Sequence, residues 1–161
     1  TSVELLSALA GVDLGRLAPD LTLPLVGTND SRVDLSHVER PRFVEALERL
    51  AERLLERRGP GGGPYLALCT VPPVGQVPFH FSEDSVLRVR EAINPALRRT
   101  VKKLRVPVVE LVTGFDVRWL RPGEAHLTEE GYREMALLAA RQLGPWLLLL
   151  TPPIGKREAD R

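Results

Sequence analysis

Apolar residues follow two alternating rhythms along this chain. Val3, Leu5, Leu6, Leu9 and Ala10 keep a helical spacing that stops at Gly11. Thr1 and Glu4 stand ahead of it at capping-box spacing. Leu21 to Val26 is an apolar run of strand length, closed by Gly27. Across residues 41–57, Phe43, Ala46, Leu47, Leu50, Leu54 and Leu55 recur among charges, which predicts an amphipathic helix with Pro41 near its first turn. The run "RRGPGGGP" breaks it. Tyr65 to Val71 predicts a second strand, closed by Pro72 and Pro73. Val86, Val89, Ile93, Leu97, Val101 and Leu104 predict a third helix over 83–104, with Pro95 kinking or splitting it. Val106 to Val112 predicts a third strand, with Pro107 confined to its start. Thr128 to Leu143 predicts a fourth helix, with Thr128 as N-cap and Glu129 and Glu130 in its first turn.

Helix and strand thus alternate, which predicts an α/β fold: a parallel sheet with helices on both faces, joined by right-handed crossovers. The strands read as near-continuous apolar runs, as strands buried on both faces should. Pro24 suits an edge strand, because a strand paired on both sides needs its N–H groups. No internal repeat or boundary interrupts residues 1–150, which read as one domain. The tail 151–161, "TPPIGKREADR", reads as flexible. In such sheets the working site lies at the carboxyl ends of the strands. Those ends are Gly27 to Asp30, Val71 to Val74 and the segment leading to His126.

Composition narrows the function classes. The chain has 161 residues, enough to bury a real core, and a formal charge of only +1. That balance argues against nucleic acid or an anionic membrane as the main partner. The run Trp146 to Leu150 falls far short of the roughly 20 apolar residues that a membrane span needs. Cys69 is the single cysteine, so no internal disulfide forms and paired-cysteine zinc sites are excluded. It reads as a small buried hydrophobe in mid-strand. The three histidines lack Cys or carboxylate partners at ligand spacing, and no metal or other cofactor is expected. The run Gly59 to Gly63 precedes a strand rather than following one, which fits a phosphate-binding loop poorly.

Two short segments carry candidate chemistry. Gly27-Thr28-Asn29-Asp30 emerges at the end of a strand. There the Asn29 amide can donate to a developing oxyanion, and Gly27 lets a substrate approach the backbone. The same residues also read as ordinary turn chemistry. His126 stands just before the helix "HLTEEGY", placed either as a general base or as a packing residue at a helix start. His37 and His80 read more simply as surface or packing residues.

Together, a strand ending in Gly-Thr-Asn-Asp, a strand ending in "TVPP" and a final "HLTEEGY" helix resemble the SGNH, or GDSL-like, hydrolases, a family of serine esterases and acyl hydrolases. The resemblance covers residues 1 to about 144. It implies a flavodoxin-like three-layer sandwich that hydrolyses an ester or thioester of a small-molecule substrate through an acyl-serine intermediate. It also implies that Asn29 donates to the oxyanion, that His126 activates the serine, and that Gly27, Thr28 and Asp30 contact substrate.

The chain departs from the family pattern twice. The family places Asp three residues before the His, where this chain has Gly123; Glu124 is the nearest substitute, with Asp116 earlier. The Gly-Asp-Ser nucleophile block and the second-block glycine are not in the sequence, so the first two strands are expected to be absent and Thr1 to stand just past the second block. Ser2, Ser7, Ser31, Ser36, Ser82 and Ser85 read as helix, cap or turn residues, and none lies at a strand-to-helix elbow. Two readings follow: the C-terminal portion of a serine hydrolase, or a decayed, non-catalytic module on the same scaffold.

Overall fold

The computed structural model describes residues 1–12, 21–33, 40–55, 65–73 and 80–150. His37, Ser36, the Gly59 to Gly63 run and the 151–161 tail lie outside the described residues. The first helix, α1 (Ser2–Leu9), opens with the expected capping box: Thr1 Oγ1 accepts the Glu4 N–H, and the Glu4 carboxylate accepts from the Thr1 ammonium.

Four short strands form parallel ladders. In one, β1 (Leu21–Thr22) lies beside β2 (Tyr65–Leu66), with Leu21 opposite Tyr65. In the other, β3 (Leu68–Cys69) lies beside β4 (Val108–Val109), with Leu68 opposite Val108. Only Ala67 separates β2 from β3. Its N–H donates to the Thr22 carbonyl at 3.1 Å, while the N–H of Leu68 donates the other way, to Pro107, at 3.1 Å. Residues 65–70 are therefore the middle strand of a parallel three-strand arrangement.

Side-chain alternation along that strand builds two cores. Leu66 and Leu68 face Phe43, Leu47 and Leu50 of α2 (Arg40–Leu55), together with Ile93 and Leu97. Ala67 and Cys69 face Val109, Leu111 and the Met135, Ala139 and Leu143 stripe of α5 (Glu129–Leu150). Helices thus cover both faces, as the apolar strands required. Leu47, Leu50, Leu66, Leu68 and Leu97 are at most 1% exposed, and each such burial contributes about 1.5–3 kcal/mol.

Two expectations need correction, on the strands and on the last helix, whereas the split expected at Pro95 is present. The strands are shorter than the apolar runs 21–26, 65–71 and 106–112. Pro24 and Pro107 have no N–H to give a ladder, and Pro72 and Pro73 end the middle strand. The 83–104 helix is split into α3 (Glu83–Arg88), a wide π turn (Val89–Ile93) and α4 (Asn94–Leu104). Pro95 stands in the first turn of α4, and the extra residue lets Asn94 N–H donate five residues back, to Val89. Finally, α5 runs past Leu143 and through Pro145 to Leu150. Packing overrides the proline there, since Trp146 meets Tyr65 edge-on at 5.4 Å and Leu147 rests on the second core.

The edge of β4 is closed by a side chain. Gln142 accepts from the Glu110 N–H at 2.8 Å and donates to its carbonyl at 3.1 Å, mimicking a neighbouring strand. No described helix is long and apolar enough to cross a membrane.

Candidate active site

Past Thr22 the chain leaves the ladder and turns sharply at Gly27, whose φ is +115°. A Cβ there would lie 2.6 Å from Val71 Cγ2 and 2.8 Å from Ile93 Cγ2, so only glycine fits. The turn delivers Asn29 to a short 3₁₀ helix (Asn29–Ser31), held by the Ser31 hydroxyl donating to the Thr28 carbonyl at 2.7 Å. Asn29 is left exposed, whereas Asp30 and Ser31 are buried.

Asp30 is fully engaged within the fold. Its carboxylate accepts the Ser2 N–H at 3.0 and 3.1 Å and the Ser2 hydroxyl at 2.7 Å. An anion is favoured there because it meets the first turn of α1. Asp30 thereby ties the Asn29 loop to the start of α1.

His126 comes from the far end of the sequence. Leu120 and Leu127 form an antiparallel bridge, Arg121 N–H donates to the His126 carbonyl at 2.9 Å, and Thr128 N–H donates to Trp119 at 2.7 Å. These bonds pin residues 120–127 as a hairpin at the carboxyl end of the sheet. Gly131 makes the docking possible, since a Cβ there would stand 2.5 Å from the Trp119 carbonyl. The predicted cap holds as well, with Thr128 Oγ1 accepting the Gly131 N–H at 3.0 Å.

Within this hairpin, Glu124 Oε2 lies 3.5 Å from His126 Nδ1, and Arg121 lies 3.8 Å from the same oxygen. The carboxylate therefore faces the ring nitrogen that an orienting acid must address, leaving Nε2 on the other side. Both side chains are largely solvent-accessible, His126 at 75% and Glu124 at 47%. Gly123 has a φ of +69°, with no atom within 4 Å of a would-be Cβ. Asp116 is committed elsewhere: it caps the 3₁₀ turn Val117–Trp119 and binds Arg118, whose hydrogen bond holds its carboxyl below the usual range.

All five residues of the two loops that sequence reading singled out, Gly27, Thr28, Asn29, Asp30 and His126, line one cavity of about 850 Å³, with Glu124 beside them. Arg32 and His80 also share its wall, and neither was singled out as a site group. Arg32 donates to His80 Nδ1 at 3.0 Å; a guanidinium only donates, so the proton of that imidazole sits on Nε2. Arg32 follows Asp30 by two positions on the same loop, which was its only signal. His80 had no signal beyond its residue type.

Among the described serines, four are buried or engaged in caps. Ser2 and Ser31 are buried, and Ser82 and Ser85 form the capping box of α3. Ser7 is exposed on α1. Burial pushes the Cys69 thiol up to about 12, which keeps it protonated and unreactive at neutral pH. Among the described residues no group of three or more His, Cys, Asp or Glu is placed to hold a metal.

Comparison with known proteins identifies the family and the fold. Residues 1–134 match the family model of GDSL-like lipases and acylhydrolases. Among solved structures, the chain is similar to a lipase/acylhydrolase from Enterococcus faecalis, at 21% identity and a TM-score of 0.69, covering 91% of this chain and 71% of that one. It is equally similar to a GDSL-like lipase from Bacteroides thetaiotaomicron, at 20% identity and a TM-score of 0.72, covering 91% and 72%. A carbohydrate acetylesterase family member from Sinorhizobium meliloti aligns at 20% identity and a TM-score of 0.59, covering 92% and 68%. No curated protein matches. The match over residues 1–134 shows that the chain belongs to the GDSL-like lipase/acylhydrolase family, whose members hydrolyse ester bonds.

Proposed function

We propose that residues 1–150 form the oxyanion-and-base part of a serine ester hydrolase whose nucleophile is none of the six serines in this chain. One observation carries the reading: Asn29 and His126, far apart in sequence, line the same cavity at the carboxyl ends of parallel strands. Asn29 donates its amide hydrogen to the carbonyl oxygen as negative charge develops there. His126 takes the proton of a seryl hydroxyl and later returns it to the leaving alcohol. Glu124 steadies the ring through Nδ1, in place of the aspartate that the family resemblance puts at position 123. Gly27, Thr28 and Asp30 shape the floor on which the substrate rests. By the family resemblance, the first two strands, the seryl nucleophile and the other two oxyanion donors are carried by segments that this sequence does not contain.

A short-chain nitrophenyl ester assay tests this. The 161-residue chain alone is expected to show no enzymatic turnover, because a triad without its nucleophile retains at most about 10³–10⁴ over water. A chain extended ahead of Thr1 by a relative's Gly-Asp-Ser region is expected to be active, and to lose activity in both Asn29→Ala and His126→Ala. Robust turnover by the unextended chain, with a serine-directed phosphonate labelling it, would overturn the proposal.

The second reading, a non-catalytic module, is favoured by Gly123 standing where the family's aspartate belongs and by the exposure of His126. It stands if the extended chain folds and remains inert.

A further inference from the structure

We infer that an apolar recess beside His126 receives the leaving-alcohol group of the ester, and that it takes an apolar group of about six carbons. The inference rests on the hydrolase reading above and names the substrate class that the site prefers. A cavity of about 150 Å³ opens off the larger one, the two sharing Leu25, Thr28, Ala125 and His126 as walls. Beyond His126 it is lined by Pro72, Pro73, Leu120, Leu127, Met135 and Tyr132. Met135, 8% exposed, is the floor, and Tyr132, 52% exposed, stands at the mouth. Apart from His126, no ionisable group other than the Tyr132 phenol lines it among the described residues.

Size and chemistry set the occupant. A mainly apolar recess of about 150 Å³ has room for a benzene-sized group. The wall is mainly apolar, with Thr28, Tyr132 and His126 its only polar side chains among the described residues, so most hydroxyls of a sugar placed here would lack a partner, at a desolvation cost. An apolar substituent instead releases water from both surfaces.

Position decides which half of the ester enters. Acyl transfer forms a bond from the seryl oxygen to the carbonyl carbon and breaks the bond from that carbon to the alcohol oxygen. The leaving electron pair goes to the alcohol oxygen, which takes the proton held by His126. The carbonyl oxygen meanwhile turns to the oxyanion donor. The recess adjoins His126 but not Asn29, so the group it receives is the one carried by the leaving oxygen.

The test is a ¹H–¹⁵N titration of the full 161-residue chain with benzyl alcohol, benzoate and methyl glucoside. Benzyl alcohol is expected to bind in the millimolar range and to shift the amides of Leu120, Leu127, Tyr132 and Met135; the other two should leave them in place. Filling the floor with Met135→Trp should weaken binding at least about tenfold. Because that variant places a larger ring in the second core, Tyr132→Trp at the mouth is the companion test. Shifts confined elsewhere, or an affinity unchanged in a folded filling variant, overturn the inference. Equal shifts with benzoate overturn the assignment to the alcohol side. Recess binding alongside an inert extended chain sinks the hydrolase reading, whereas ester turnover without recess binding sinks the present inference alone.

Discussion

Asp30 and Ser2, 28 residues apart, are joined by three buried hydrogen bonds, two from the Ser2 N–H to the carboxylate oxygens and one from its hydroxyl. The pair fixes the Asn29 loop against the first turn of α1, and both residues are at most 3% exposed. Removing the acceptor strands a buried N–H and a buried hydroxyl. Asp30→Ala is therefore expected to cost about 2–4 kcal/mol in urea unfolding, the range for a hydrogen-bonded charged group whose partners lose it. The Asn29 amide resonance should shift in the folded variant. A loss below about 0.5 kcal/mol would show that the contact is not a structural tie.

Gly27 and Gly123 both have positive φ, but their surroundings differ. An alanine at Gly27 meets Val71 and Ile93 well inside contact distance, whereas one at Gly123 meets nothing within 4 Å. Gly123→Ala should cost only the left-handed backbone penalty of about 1–2 kcal/mol. Gly27→Ala adds overpacking and is expected to lose about 2–5 kcal/mol. Chemical denaturation of the two variants side by side checks the order; equal losses would mean that the Gly27 neighbours yield freely.

Much of this was legible in the sequence, for physical reasons that differ by element. The capping box at Thr1, the amphipathic α2 and the Thr128 cap depend on neighbours within one turn, and local pattern reports such contacts directly. Apolar runs located the strands but overstated them, since prolines at 24 and 107 withdraw donors that hydrophobicity does not register. The strand-end loops identified Asn29 and His126, because a parallel sheet collects its loops at one rim. Asp30 read as a substrate contact from its motif, while its bonds to Ser2 depend on a pairing 28 residues long. Gly131 stood in the quoted helix motif with no visible purpose until Trp119 was found against it. Arg32, His80 and the recess around Met135 come from segments distant in sequence, and no periodicity encodes their meeting.

Asn94 closes a second long-range tie. Its side-chain oxygen accepts the Val71 N–H at 2.7 Å and its nitrogen donates to the Val71 carbonyl at 2.9 Å, with Asn94 itself 3% exposed. Val71 is the residue against which Gly27 is packed, so this bond pair supports the floor of the site. Asn94→Ala leaves both backbone groups unpaired and is expected to cost about 2–4 kcal/mol. Asn94→Asp keeps the acceptor but faces the Val71 carbonyl with an oxygen, so it should recover less than half of that loss. Thermal unfolding of the three proteins decides; full rescue by Asp would mean that the donated bond contributes nothing.

The Arg98–Glu110 pair links α4 to the strand end beside Gln142 and gives a pH-dependent signature. Arg98 Nε and Nη2 reach the two Glu110 oxygens at 2.7 and 2.8 Å, a bidentate geometry. The hydrogen bond from Arg98 holds the Glu110 carboxyl below its ordinary value of 4.5, against a smaller opposing effect of burial. A carboxyl whose folded pKa is depressed adds stability that is fully present above its unfolded value. That stability is lost as the pH falls through the folded value. Arg98 remains charged throughout, so the window belongs to Glu110 alone. With Arg98 46% and Glu110 31% exposed, solvent screening limits the pair to about 0.5–1 kcal/mol. Glu110→Gln is accordingly expected to be less stable than the parent by that amount at pH 7. The two should converge as the pH drops below 4.5, and the gap at pH 7 should shrink in 1 M salt. Urea midpoints measured from pH 7 down to pH 3 supply the check. A gap that stays constant across that range would assign the loss to packing of the side chain rather than to its charge.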